Sequence, residues 1–250
     1  MPGNAPDIEL SSFRNSLNFV LAIFDSGPAR YDAYISPIDD SMFYSRIIEL
    51  LERNSTWGGI IKSKSYELKD ISFIPHGIEI YKKMKNLIDK RRLVFLDPSV
   101  SPVTASSYAD LSVCSTIQSA GILAAGFNNK VIHHDVAGFL KFPIYKDPDQ
   151  EILYSSLDEL EQAIFRVSES NQSIGDFSRW QQKFNYFNDY KAPERVGHFI
   201  QNYMDDVLKT GDAVNSLDLA VKRYIHDNKI KDDFFIIKDL WGDEQRPEIK

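Results

Sequence analysis

Residues 93–135 read LVFLDP (93–98), SPVTASSYADLSVCSTIQSAGILAAG (101–126) and FNNKVIHHD (127–135). Leu93 to Leu96 is a short apolar run closed by Asp97-Pro98, a strand followed by a break that proline forces. Leu111 to Cys114 is a second such run, and it ends abruptly in the polar pair Ser115-Thr116. Gln118 to Ala125 is rich in small, helix-favouring residues despite Gly121, and Gly126 sits where a helix stops. Asn128-Asn129 makes a turn before a third strand-like run, Lys130 to His133. The order strand, short helix, strand, helix, strand predicts parallel α/β architecture.

Working outward, Phe19 to Phe24 is an uninterrupted apolar run, as expected of a strand covered on both faces. It ends in the turn Asp25-Ser26-Gly27-Pro28. Asp39-Asp40-Ser41 offers a helix cap, and Met42, Phe43, Ile47, Ile48, Leu50 and Leu51 give a helical apolar face up to Arg53. Gly58 to Ile61 is a strand that runs into Lys62-Ser63-Lys64-Ser65. Pro75-His76-Gly77 opens a helix whose face is Ile78, Tyr81, Met84, Leu87 and Ile88. Strand and helix patterns thus alternate from Phe19 to His133. The expected fold is a doubly wound, Rossmann-like parallel sheet with helices on both faces and a helical C-terminal extension. Its core strands are expected at about 19–24, 58–62, 93–96, 111–114 and 130–133.

The flanks are simpler. Residues 1–17 carry two prolines and little periodicity and read as an arm or linker. Residues 18–170 read as the Rossmann-like domain, and 171–250 as the helical extension packed on it. After Asp135 the chain loosens through Gly138, Pro143, Asp147 and Pro148. Ser156-Leu157-Asp158-Glu159 forms a capping box ahead of an apolar face at Leu157, Leu160, Ile164 and Val167. Phe177, Trp180, Phe184 and Phe187 make an aromatic stripe suited to core or domain contact. Two helices are expected at about Glu194–Leu208, closed by Gly211, and Ala213–Asp227. Phe234 to Ile237 forms an apolar patch in the tail, fit to pair with an edge or dock on the body.

Composition narrows the function. The 250 residues are 43% hydrophobic and 26% charged, ordinary values for a globular chain. A net charge of −7 argues against a nucleic-acid surface, which needs a basic stripe. The basic cluster Lys82-Lys83-Lys85 with Lys90-Arg91-Arg92 reads as the solvated face of a helix. The single cysteine, Cys114, allows no internal disulfide and no thiolate metal cluster, and fits a reducing compartment. It reads as a small buried hydrophobe. No secretion signal is visible at the amino terminus, and Phe19 to Phe24 is far shorter than a membrane span. A cytoplasmic location is expected. Neither the GxGxxG fingerprint nor a Walker phosphate loop is present.

Candidate chemistry gathers where strands end. In a parallel sheet, ligands collect at the carboxyl ends of strands, where helix N-termini offer unpaired N–H groups and partial positive charge. Ser115, Thr116 and Gln118 stand at such a junction, although either hydroxyl can serve as a simple helix cap. Lys62 and Lys64 follow another strand, and taken alone they are an ordinary solvated strand end. Asp25, Asp97 and Asp135 end strands on the same expected rim, able to hold a hydroxyl or to cap a turn. His133 and His134 are adjacent on a strand and so point to opposite faces, which disfavours a shared metal site. One is expected buried and one at the rim, and no metal centre is expected.

These residues resemble the carboxy-terminal, nucleotide-sugar-binding half of GT-B-type glycosyltransferases, among them most the bacterial capsule and surface-polysaccharide enzymes. The likeness spans roughly residues 18 to 135 plus a helical closing segment. Ile60-Ile61-Lys62-Ser63-Lys64 stands where that family carries a Lys-Pro-His-Pro-like segment. Ser107-Tyr108-Ala109-Asp110 precedes a strand and the Ser115-Thr116 turn, as a Tyr-x-x-Ala-Asp phrase does there. Two departures are clear: the segment after the second strand lacks the family's histidine and prolines, and Ser119-Ala120-Gly121 stands where a ribose-binding glutamate is usual.

The resemblance implies a nucleoside diphosphate sugar as donor substrate and no cofactor. It places Lys62, Lys64, Asp97, Ser115, Thr116 and Gln118 in donor binding, with Asp25, His133 and Asp135 as further rim residues. It also implies a separate amino-terminal domain or subunit to bind the acceptor. The chain is then expected to be a fragment, one partner of a split enzyme, or a half without activity of its own. The competing readings are a non-catalytic scaffold or regulatory module of a polysaccharide-synthesis complex, and a sugar-nucleotide epimerase-like protein. The missing glutamate and missing domain both favour the scaffold.

Overall fold

The computed structural model describes residues 6–25, 27, 36–64, 66–136, 151–169, 173–180, 187, 189 and 191–230. Among these, two compact units divide at residues 181 and 182. The first holds the sheet. Its strands are β1 (Phe19–Phe24), β2 (Trp57–Lys62), β3 (Leu93–Leu96), β4 (Leu111–Cys114), β5 (Val131–His134) and β6 (Leu153–Tyr154). They lie in the order β3-β2-β1-β4-β5-β6, and every pairing is parallel. The chain is therefore an α/β protein with a Rossmann-like, doubly wound sheet.

β1 is the middle of this arrangement, and Val20 to Phe24 are fully buried. Both faces of the strand are covered, which is why its sequence shows no alternation. Burying each of the larger side chains, Val20, Leu21, Ile23 and Phe24, contributes about 1.5–3 kcal/mol before chain entropy is set against it. The five core strands lie within one residue of their expected limits. The sixth, β6, has two residues and gave no pattern long enough to read.

Helices cover both faces. α1 (Pro6–Asn15), α2 (Pro37–Arg53), α3 (Gly77–Asp89), α4 (Pro102–Ser107), α5 (Ser119–Gly126) and α6 (Leu157–Ser168) belong to this unit. α2 packs against α3 and α6, whereas α4 packs against α5. The glycine pair of β2 records the two sides. A Cβ on Gly59 would touch Leu51 of α2, whereas one on Gly58 would overlap Leu17, just past α1.

Several local details differ from expectation. Residues 1–17, expected as an arm, instead contribute α1, with Leu10 and Phe13 buried and Arg14 paired to Asp110 at 2.7 Å. Leu10, Phe13 and Leu17 have i, i+3, i+7 spacing, a helical stripe overshadowed by the prolines. Ser36, not the Asp39-Asp40-Ser41 cluster, caps α2, and Asp39 completes the capping box. Met42 is exposed, and Tyr44 takes its place on the buried face. A two-turn 3₁₀ segment, Leu68–Phe73, lies between β2 and α3. Ser156 caps α6 by accepting from the Glu159 N–H at 3.2 Å, while the Glu159 carboxylate accepts from the Ser155 hydroxyl.

In the second unit α7 (Ala192–Thr210) and α8 (Ala213–Asp227) form an antiparallel hairpin. Gly211 closes α7 in the left-handed conformation (φ 69°), and Asp212 caps α8 through the Val214 and Asn215 N–H groups. Arg223 meets Asp206 at 3.2 Å, and the Phe199 and Tyr224 rings pack edge to face. Phe184 and the patch from Phe234 to Ile237 lie outside the described residues. No helix among the described residues is long and apolar enough to cross a membrane.

Candidate functional site

The strand order reverses direction between β1 and β4: from β1 the first half of the chain winds outward one way, and from β4 the second half winds the other. In open parallel sheets ligands settle in the crevice outside the carboxyl ends of the strands at such a switch point. Register fixes what meets there. Phe24, last in β1, lies opposite Lys62 of β2 and Cys114 of β4. Lys62 in turn lies opposite Leu96, and Cys114 opposite His133. Asp97, Lys62, Asp25, Ser115 and Asp135 therefore follow one another along the carboxyl edge.

They are not equivalent. Ser115 is the most informative. Its backbone N–H donates to the Phe24 carbonyl at 2.9 Å, sealing the end of β4 against β1. Its side chain is buried, and its hydroxyl has no hydrogen-bond partner among the described residues. A buried hydroxyl left unpartnered costs about 1–3 kcal/mol, so such a group calls for an explanation. Ser115 to Ile117 form a bend, and α5 begins at Ser119 with Gln118 as its N-cap. Neither Ser115 nor Thr116 is thus the helix cap. The Gln118 side chain makes no capping bond, and its buried Nε2 also lacks a partner among the described residues. Hydroxyl, amide and helix N-terminus are together in one short segment.

His133 holds that segment in place. Its Nδ1 is 2.9 Å from the Thr116 carbonyl, which can only accept, so Nδ1 carries the proton and donates. Its ring lies fully buried against Phe177, and burial pushes its pKa down to about 4. His134 is buried too, on the other face, where its ring stacks on Phe43 of α2. Opposite faces were expected. The expectation that one ring would reach the rim is corrected, because helices cover both sides of β5. Among the described residues no group of three or more His, Cys, Asp or Glu is placed to hold a metal.

Lys62 is half-buried and Lys64 exposed. Desolvation lowers the Lys62 pKa, while the charge of Asp25 pulls it back up. Asp97 is exposed, and one carboxylate oxygen accepts from the backbone N–H and hydroxyl of Ser99, a turn that holds its pKa below the usual range. Asp135 is buried, with its N–H donated to the Tyr154 carbonyl.

Asp25 is 2% exposed and faces inward. One oxygen accepts from the Gly27 N–H at 2.8 Å; the other accepts from both the Tyr44 and Tyr66 hydroxyls. Burial raises its pKa to about 6, against the lowering effect of those bonds and of Lys62. Asp25 is therefore not an open ligand for a substrate hydroxyl. Its two tyrosines are the site residues that sequence reasoning missed. A tyrosine at position 44, on the buried face of a helix, was the available signal, because a buried phenol needs a partner.

No known protein family, curated protein or solved structure matches the chain.

Proposed function

We propose that the carboxyl edge of the sheet binds a nucleoside diphosphate sugar at the β1–β4 crevice, and that the chain is the donor-binding half of a glycosyltransferase of the GT-B type. The observation that carries this reading is the Ser115 hydroxyl, buried and unpartnered, in the bend that leads into α5. A phosphate group accepts hydrogen bonds from such a hydroxyl, the neighbouring Gln118 amide and the first N–H groups of a helix together.

The mechanism is electrostatic. Departure of a nucleoside diphosphate leaves negative charge on the pyrophosphate, which fixed donors at the edge stabilise. Lys62 supplies the cation, with Lys64 as a second, solvated one. Ser115, Thr116 and Gln118 supply oriented dipoles, and Asp97 and Asp135 are the rim acids for sugar or ribose hydroxyls. His133 contributes by holding the Thr116 carbonyl. The acceptor and the base come from a separate amino-terminal domain or subunit.

Calorimetric titration with uridine, cytidine and guanosine diphosphates tests this. At least one should bind, and Lys62→Ala should weaken it about tenfold to a hundredfold, the equivalent of one charge-assisted contact of about 1.5–3 kcal/mol. No heat with any of the three at millimolar concentration would overturn the reading. A non-catalytic module of a polysaccharide-synthesis complex is the second reading. It is favoured by the composition of α5, SAGILAAG, which offers no acid for the ribose.

A further inference from the structure

Asp25 Oδ2, Tyr44 Oη and Tyr66 Oη form a triangle in which each oxygen is within hydrogen-bond distance of the other two, the tyrosine pair at 2.5 Å. Each edge of the triangle needs a proton. The hydroxyls bring one apiece, so with an ionised carboxylate one edge has none. If both tyrosines donate to Asp25, their lone pairs face each other. If one donates to the other, a carboxylate contact goes without. A proton on Asp25 removes the shortage: Asp25 donates to one tyrosine, that tyrosine to the second, and the second back to Asp25. The burial that raises the Asp25 pKa to about 6 acts in the same direction.

Among the described residues the charged and titratable surroundings of the triangle are few. From α2 come Tyr44 itself and, acting on it, Asp40. From β2 and the segment after it come Lys62 and Tyr66. From β4 comes the Cys114 thiol, opposite Phe24, which burial keeps protonated. Gly27 offers its N–H. Of these, Lys62 is the cation that stabilises an ionised Asp25, and Lys62 is also the cation assigned above to the diphosphate.

We propose that Asp25, Tyr44 and Tyr66 form a proton site coupled through Lys62 to anion binding at the same edge, so that seating a diphosphate draws one proton from solvent onto Asp25. The inference rests on the nucleotide-sugar reading of that edge. An anion beside Lys62 takes up the part of the compensation of the Asp25 carboxylate that Lys62 adds to the three hydrogen bonds, and so shifts the triangle toward its neutral state. Linkage requires the converse: protonating Asp25 tightens binding. Asp25 acts as a positioning residue through Lys62 and touches no substrate.

The test is calorimetry on the intact chain with UDP-glucose or GDP-mannose, whose pyrophosphates have no proton that titrates near neutrality. Binding at about pH 6.5 is measured in two buffers of unequal ionisation enthalpy, and the affinity is followed from about pH 7.5 to 5.5. The expected result is net proton uptake, with binding roughly fivefold to tenfold tighter at the acid end. Asp25→Asn should abolish the uptake, flatten the pH profile and bind more tightly than the parent at the alkaline end; a purely structural residue would weaken binding throughout. Binding without proton uptake, or uptake that survives Asp25→Asn, overturns the coupling and leaves the nucleotide reading standing. No binding of either sugar nucleotide while a free diphosphate binds also overturns it, and no binding of any of them overturns the nucleotide reading as well. If Asp25→Asn does not fold, infrared difference spectra of the parent decide: adding ligand must produce a protonated-carboxyl band, and its absence overturns the coupling.

Discussion

Ser115 donates its backbone N–H to the Phe24 carbonyl at 2.9 Å, while its own buried hydroxyl meets no partner among the described residues. The residue is thus structural through its main chain and idle through its side chain. The two roles separate on substitution.

Ser115→Ala keeps the backbone bond and removes an unsatisfied buried oxygen. Stability in urea should be unchanged or higher by up to about 1 kcal/mol, because the desolvation cost of an unmet hydroxyl disappears. Affinity for a nucleoside diphosphate should fall about tenfold. A variant that is markedly destabilised would show that the hydroxyl has a partner within the protein.

Stability should depend on pH through two buried groups of opposite sign. Asp25 titrates at about 6 when folded, against 3.8 for the free side chain. Its contribution is therefore complete below about pH 4 and is lost as the pH rises through 6, a change on the order of 3 kcal/mol. His133 is lowered from 6.5 to about 4, so its contribution is complete above 6.5 and is lost as the pH falls toward 4. Urea titrations from pH 4 to 7 should show the parent losing stability relative to Asp25→Asn as the pH rises, and relative to His133→Asn as it falls. Parallel curves for either pair would contradict the assignment.

Two glycines in helices should respond oppositely to alanine. A Cβ at Gly121 of α5 would stand 2.6 Å from both the Cys114 sulfur and His133 Cε1. Gly121→Ala should cost about 1–3 kcal/mol through overpacking, despite the better helix propensity of alanine. A Cβ at Gly197 of α7 meets nothing within 4 Å. Gly197→Ala should therefore gain about 1 kcal/mol. Paired thermal melts check both signs.

Cys114 is fully buried, and burial pushes its thiol well above the usual range. It should react with a disulfide reagent only at the rate of unfolding, and at once in denaturant. Fast labelling of the native chain would show that the Gly121 side of β4 opens to solvent.

Much of this architecture was legible because β1 and β3 are continuous apolar runs stopped by Asp25 and Asp97, and β2, β4 and β5 are short, mostly apolar runs that end in polar residues such as Lys62 and Ser115. The all-parallel pairing followed from the helices between them. β6 was not legible: with two residues, Leu153 and Tyr154, it has no period, and only its bond to β5 makes it a strand. At the candidate site, the sequence marked the edge residues but not their roles. Asp25 and Asp97 look alike as residues that end strands, yet one is sealed between two phenols and the other is solvated. That difference is made by Tyr44 and Tyr66, 19 and 41 residues downstream of Asp25, a distance over which local pattern says nothing.

The place of β1 between β2 and β4 has a consequence for a chain emerging from the ribosome. Its partner on one side, β2, is made soon afterwards, but its partner on the other, Leu111 to Cys114, follows some ninety residues later. Until then the nascent protein holds Leu21 to Phe24 with one row of peptide groups unmatched, at the centre of its future core. The seam that Ser115 closes is the last main-chain joint of the middle of the sheet to be synthesised. Pausing of translation before Leu111–Cys114 has emerged from the ribosome should accordingly yield intermediates that bind chaperones and aggregate, whereas a pause after it has emerged should do so less.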